Sequence, residues 1–271
     1  MTPDGQPPMN NAKNSTAPAR SAASWLLGGA LDLVYPLHCI GCGTCLDADG
    51  RPDDCFCPDC LPKLPFVPGR RCPKCGHALA EHAPPHAQCP SCEGARLFFT
   101  SATAPFKYEG IAQELILRFK LGRETLLAGP LSKYLIAHLE ATGLMPEVDG
   151  IVAVPLHWRR LLKRGYNQSH LLAEEVSLRF GRPVIRRCLR RVVGTPSQTA
   201  VSREQRIENM RGAFAIRIRR RAPNVLRGKT LLLIDDVLTT GATCSECSRV
   251  LIEGGGARAV YVATVARTMF T

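Results

Sequence analysis

Two stretches of the chain carry residue types whose spacing points to chemistry. One is Leu231-Leu232-Leu233-Ile234-Asp235-Asp236-Val237-Leu238-Thr239-Thr240-Gly241-Ala242-Thr243. An aliphatic run followed by two acids reads as a buried strand that delivers Asp235 and Asp236 to its carboxyl end, where open α/β sheets bind their ligands. Paired carboxylates there can accept hydrogen bonds from the vicinal hydroxyls of a ribose. Thr239–Thr243 then open a helix, whose backbone N–H groups, hydroxyls and dipole make an anion cradle. Gly241 lets the backbone close on a phosphate.

The other stretch is a run of four Cys-x-x-Cys pairs: Cys39/Cys42, Cys57/Cys60, Cys72/Cys75 and Cys89/Cys92. Two thiolates on a tight turn supply two corners of a zinc tetrahedron, and a hairpin of about 12–20 residues returns the chain to supply the others. The intervals 43–56 and 76–88 have that length. The spacing predicts two closed zinc sites, Cys39/Cys42/Cys57/Cys60 and Cys72/Cys75/Cys89/Cys92. A cross-brace, with the first pair sharing its metal with the third, is the alternative pairing. Gly43 and Gly76 follow the second thiolate of their knuckles, where the turn calls for positive φ. Large apolar residues are few here, so metal must replace a core. Cys45 and Cys55 are spare, although Cys42 and Cys45 also form a Cys-x-x-Cys that gives the first site a second possible register, and His38, His77, His82 and His86 read as solvated loop residues. Closed four-thiolate sites are structural or dock a partner, with a nucleic-acid clamp and redox sensing as the other readings.

The elements that must position these groups follow from periodicity. From about Phe99 cysteines become rare, and strand and helix signals alternate. Strands are predicted at Thr100–Tyr108, Gly150–Leu156, Lys229–Asp235 and Ala259–Val265. Helices are predicted at Ile111–Lys120, Leu126–Leu139, Ser169–Phe180 and Ala242–Ile252. Aliphatic strands between amphipathic helices indicate an α/β fold, a parallel sheet covered on both faces. Cys188, Cys244 and Cys247 read as small apolar packing groups. The first 23 residues read as a disordered tail, 24–36 as a short amphipathic helix, 37–97 as the double zinc ribbon and 98–271 as the α/β domain.

Composition narrows the function class. The 271 residues are 45% hydrophobic and 21% charged, which suits a folded chain with a core. No apolar run is long enough for a membrane span. Reduced thiols and the lack of an export signal point to the cytoplasm. The formal net charge is +12, and residues 157–229 hold 19 Lys/Arg against 4 Asp/Glu. That field favours phosphates or nucleic acid as partners. Arg186, Arg187, Arg190 and Arg191, with Arg217, Arg219, Arg220 and Arg221, form a candidate track for single-stranded DNA. Aromatic residues are only 6%, which weakens a base-stacking reading.

The thirteen-residue string resembles the phosphoribosyl pyrophosphate (PRPP) motif of type I phosphoribosyltransferases. With the cysteine block, Val154-Pro155-Leu156-His157, Arg164-Gly165-Tyr166-Asn167-Gln168, Gln198…Arg203…Arg206…Asn209 and Ala213-Phe214, it is similar over residues 30–267 to the ComF family, named for competence protein F. The resemblance implies a type I phosphoribosyltransferase fold after the zinc ribbons. It implies transfer of ribose 5-phosphate from Mg-PRPP to an unidentified acceptor, with release of pyrophosphate. Asp235 and Asp236 match the ribose-binding acids, and Val237, Leu238, Thr239, Thr240, Gly241, Ala242 and Thr243 the rest of the PRPP motif. Leu156 and His157 stand where the pyrophosphate loop falls. Lys120 and Arg164 are further PRPP contacts, although Arg164 and Asn167 could instead cap the helix after them. Gly194–Arg211 looks like the loop that closes over PRPP, with Arg203 and Arg206 neutralising the leaving group. The implied cofactors are two structural zinc ions and Mg²⁺ with PRPP. The implied partners are single-stranded DNA and a competence helicase, in the setting of DNA uptake. A non-enzymatic DNA-uptake module is the competing reading.

Overall fold

The computed structural model describes residues 38–46, 53, 55–84, 87, 89, 92, 96–193, 210–217 and 225–269. The tail, the helix expected at 24–36, and Arg203 and Arg206 lie outside them. The chain divides into two compact units, residues 1–64 and 65–271.

In the smaller unit, Cys39 N–H donates to Thr44 O (2.8 Å) and Ile40 N–H to Cys55 O (3.0 Å), folding the first knuckle against the second pair. A single 3-10 turn, Leu61–Lys63, follows Cys60.

The larger unit is an α/β body built on a parallel sheet. Its strands are β1 (Ala102–Thr103), β2 (Phe106–Lys107), β3 (Gly150–Ala153), β6 (Thr230–Leu238) and β7 (Ala259–Arg267). The order is β1-β7-β6-β3, with β2 also pairing β7. β1 and β2 continue one another along β7, so the strand expected at Thr100–Tyr108 is present but broken at Ala104-Pro105, where Pro105 has no N–H to donate. β6 is the centre: Leu231–Ile234 pair with Gly150–Ala153 on one side and with Val260–Ala263 on the other. All four of these aliphatic residues are fully buried, which fits a strand covered on both faces. A separate antiparallel pair joins β4 (Leu189–Arg191) to β5 (Phe214–Ile216).

The helices are α1 (Gly110–Leu121), α2 (Ala128–Thr142), α3 (Trp158–Arg164), α4 (Gln168–Phe180) and α5 (Ala242–Arg249). Four of them fall where periodicity places them. α5 is shorter than expected because its last turn widens into a π turn, Val250–Gly254. α3 lies where periodicity predicts no element; it is short and basic, and none of its residues is buried. β6 runs to Leu238, three residues beyond its expected end. Asp235 and Asp236 therefore lie within the strand, held by the Asp235–Thr264 and Val237–Ala266 registers of β7.

The ribbon Cys72–Cys92 belongs to the larger unit. Its four thiols share one buried core with Leu97, Phe99, β6, β7 and α5. No described helix is long and apolar enough to cross a membrane.

Candidate functional site

The site is built on the last third of β6 and the turn after it. Asp235 Oδ1 accepts from Ser169 Oγ (2.9 Å), at the start of α4, and from the backbone N–H of Asp236 (2.9 Å). Its Oδ2 lies 3.9 Å from the Cys244 thiol. Asp236 forms an ion pair with Lys120 at 2.9 Å, both side chains being mostly buried. The Lys120 ammonium stands 5.9 Å from the centre of the Tyr108 ring. Burial pulls Lys120 down, but the charges of Asp236 and Asp235 win and hold it above its usual value. Asp235 is pushed up to about 7, first by burial and then by the charge of Asp236, against the opposing pull of Lys120 and Ser169.

This gives a pH prediction. The folded chain holds the Asp235 proton to higher pH than the unfolded chain does. The stability from that proton is full below the ordinary carboxylate range and is lost as pH rises through about 7. Between pH 6 and 8.5, wild type is expected to lose about 1–2 kcal/mol relative to Asp235→Asn. Urea midpoints of the two zinc-saturated proteins across that range measure the difference; parallel curves would refute it.

Gly241 caps α5 in the left-handed region, φ 80°. Thr240 Oγ1 accepts from the Ala242 N–H at 3.4 Å, which shapes the turn. Thr239 is exposed, Thr240 buried and Thr243 half-buried. The loop thus presents backbone at the N-terminus of a helix, the arrangement that suits an anion.

Lys120 also lines a cavity of about 320 Å³ with Arg123, Arg160, Lys163, Arg164 and Leu121. Five cations therefore line one cavity, and one of them, Lys120, is ion-paired to Asp236. Arg123 holds a left-handed backbone, φ 59°, unusual for a residue with a Cβ, and its guanidinium donates to Lys163 O at 2.9 Å. The structure brings together Asp235, Asp236, Lys120 and Arg164. Sequence reading missed Ser169, Arg123, Arg160 and Lys163. Arg160, Lys163 and Arg164 follow i, i+3, i+4 spacing on α3, a signal for one helix face. Nothing in the spacing links Ser169 to Asp235.

The Arg164–Gln168 stretch behaves mainly as a clip. Gly165 ends α3 with φ 84°. Tyr166 OH donates to Phe119 O, Gln168 Nε2 to Lys120 O (3.4 Å) and Asn167 Nδ2 to Val154 O (3.0 Å). Asn167 also caps α4, its Oδ1 accepting from Ser169 N–H at 3.1 Å. Three consecutive side chains thereby fix the end of α1, which carries Lys120, and the end of β3. Beyond β3, Leu156 is half-buried and His157 caps α3, Nδ1 accepting from Arg159 N–H at 3.4 Å.

The cysteines form two clusters, Cys39/Cys42/Cys57/Cys60 and Cys72/Cys75/Cys89/Cys92, with the Sγ atoms of each within 4.8 Å of one another. A zinc tetrahedron with bonds of about 2.3 Å has edges of about 3.8 Å. Cys42 and Cys57 (3.7 Å) and Cys75 and Cys89 (3.4 Å) are close to that spacing. Soft four-thiolate sets of this size fit zinc. The pairing is sequential, not cross-braced. Cys45 and Cys55 stand outside both clusters, and Gly43 (φ 78°) and Gly76 (φ 69°) take the positive φ expected of them.

Over 201 residues the chain is 30% identical to the DNA utilization protein YhgH of Escherichia coli (strain K12), across 73% of this chain and 84% of that protein. The chain belongs to the ComF family. Other members agree: competence protein F of Haemophilus influenzae is 28% identical over 66% of this chain and 78% of its own. Competence protein ComFC of Bacillus subtilis is 26% identical over 87% of this chain and 97% of its own. Residues 30–94 match a double zinc ribbon domain. Among solved structures, adenine phosphoribosyltransferase from Thermoanaerobacter pseudethanolicus aligns over 50% of this chain and 79% of that chain, at 15% identity and a TM-score of 0.28.

Proposed function

We propose that this ComF-family chain binds Mg-PRPP at Asp235 and Asp236 and transfers ribose 5-phosphate to an acceptor, releasing pyrophosphate. The observation that carries the reading is the acid pair joined through Lys120 to a cavity lined by five cations, and followed in the chain by a helix-opening loop with a left-handed glycine. PRPP has the matching order of groups: a phosphate, a vicinal diol and a pyrophosphate.

In this reading the Thr239–Thr243 loop takes the 5′-phosphate, and Asp235 and Asp236 accept from the ribose hydroxyls. Oδ1 of Asp235 is engaged by Ser169 and a backbone N–H, and Oδ2 stands 3.9 Å from the Cys244 thiol, so the diol shares these oxygens with donors already in place. The cavity cations, with Leu156-His157 beside them in sequence, take the pyrophosphate. The C1–O bond breaks with its electron pair leaving on pyrophosphate, and the acceptor forms the new bond to C1 as its proton departs. Lys120, Arg123, Arg160, Lys163 and Arg164 stabilise the charge that grows on the leaving group. Arg203 and Arg206, on the stretch that resembles the closing loop, are assigned to neutralising the pyrophosphate by family resemblance. Mg²⁺ suits the hard carboxylate oxygens at the acid pair and would supply further charge neutralisation on the pyrophosphate.

Catalysis is tested by pyrophosphate release from Mg-PRPP when free bases, amines or short single-stranded DNA are added in turn. Release with one class of acceptor is the expected result. Binding of Mg-PRPP with no release for any class would reduce the site to a sensor.

A second reading has its own support. Arg186, Arg187, Arg190 and Arg217 are exposed, and relatives are named for DNA utilization and competence. Single-stranded DNA held through its phosphates there would bind with a steep loss of affinity as salt rises. Salt-independent or absent binding would exclude it.

A further inference from the structure

We infer that the second cysteine cluster, through its metal, holds the phosphate loop in shape, and that the first cluster has no part in this. The inference rests on the reading above for what the loop binds.

The coupling is carried by Leu97, Phe98 and Phe99, which lie close to Cys92 in sequence. The Phe98 N–H donates to Ser245 Oγ on α5 at 3.1 Å. Ser245 N–H in turn donates to Gly241 O at 2.8 Å, closing the first turn after the loop. A Cβ on Gly241 would stand 3.6 Å from the Phe99 ring and 3.8 Å from Leu97, so these two side chains form the floor of the loop. Leu97, Phe99, Ala242, Cys244 and the four ribbon thiols lie in one continuous buried core.

The knuckle is tied to the sheet as firmly as the loop is tied to the segment. Ala102 N–H donates to Lys74 O at 2.9 Å. The Lys74 ammonium lies 5.4 Å from the centre of the Phe99 ring and donates to Phe99 O. The buried guanidinium of Arg267, the last residue of β7, donates to Cys75 O. Gly76 leaves no space for a side chain: a Cβ would lie 2.7 Å from Ala102 O. Arg71, beside Cys72, donates to Ala104 O (3.0 Å) and Val67 O (2.9 Å). The ribbon joins the buried core chiefly through its four thiols, whose spacing the metal sets. Metal loss at the second cluster therefore loosens the Cys72–Gly76 knuckle and, through its bonds to Phe99 and Ala102, the register of Leu97–Phe99 under Gly241. Among the described residues, the backbone bonds around the first cluster, such as Cys39 N–H to Thr44 O, Ile40 N–H to Cys55 O and Gly43 N–H to Cys39 O, are internal to the 1–64 unit.

The test compares zinc-loaded full-length Cys72→Ser/Cys75→Ser with Cys39→Ser/Cys42→Ser. Three quantities are read: zinc per chain, amide hydrogen exchange of residues 239–245, and titration with ribose 5-phosphate. Each pair should remove one zinc. Changing the second cluster should speed loop exchange at least tenfold and weaken ribose 5-phosphate at least tenfold, while changing the first leaves both within about twofold. Should the second-cluster variant fail to fold, Phe99→Leu keeps both zinc ions and should still speed loop exchange several-fold. Unchanged loop exchange in Phe99→Leu, or equal loss from either cluster, overturns the inference. Faster loop exchange in a chain whose wild type ignores ribose 5-phosphate would uphold the coupling and refute the phosphate reading instead.

Discussion

Replacing Asp235 and Asp236 together by Asn is expected to abolish Mg-PRPP binding while leaving inorganic pyrophosphate bound. The amides keep the shape of the site and an Oδ1 acceptor for Ser169. They cannot form charge-assisted bonds to two ribose hydroxyls, each worth about 1.5–3 kcal/mol. A loss of about 3–5 kcal/mol weakens Kd by at least about 100-fold. Pyrophosphate has no diol, and its cations (Arg123, Arg160, Lys163 and Arg164) are untouched. The substitution also removes negative charge beside that cavity and frees Lys120 from its ion pair. Pyrophosphate affinity should therefore hold or rise. Calorimetry with both ligands separates the cases. Parallel loss of both would mean that the site had collapsed, and retention of PRPP would mean that the acids do not bind ribose.

Gly241 carries the second large effect. At φ 80° any L-residue is strained by about 1–2 kcal/mol. An alanine Cβ would meet the Phe99 ring at 3.6 Å, an ordinary contact, so Gly241→Ala should lose about that amount of stability and no more. Valine adds two methyl groups against Phe99 and Leu97, and a branch at Cβ makes the left-handed region harder still. Gly241→Val should lose about 3 kcal/mol and turn the loop amides away from their ligand. Urea unfolding gives the stability, and ribose 5-phosphate titration gives the loop. A valine variant that binds ribose 5-phosphate as wild type does would show that the loop is not the phosphate site.

The central strand and both cysteine clusters are legible in the residues alone. Leu231–Ile234 announce a central strand because four consecutive aliphatic residues suit a strand covered on both faces, and all four are fully buried. Cysteine spacing points to the two sequential clusters. What local pattern hides has physical reasons. β6 outruns its expected end because Asp is disfavoured in strands, and only the ladder to β7 carries the chain on to Leu238. α3 has no buried face, so no apolar period marks it; its cations become a cavity wall only when Gly165 turns the chain into α4. β4 and β5 have three residues each, too short for a pattern. The ribbons look alike in spacing, yet the second lies in the α/β unit because Leu97 and Phe99 continue its core. Such long-range joins, like Ser169 to Asp235 across 66 positions, leave no trace in local sequence.

In the proposed reading the acid pair, the loop and the basic cavity form one PRPP site. Calorimetric titration of Mg-PRPP into the full chain, purified with two zinc ions, tests it most directly. The account predicts one saturable site per chain with a Kd on the order of micromolar. No heat of binding from folded, zinc-replete protein would contradict it.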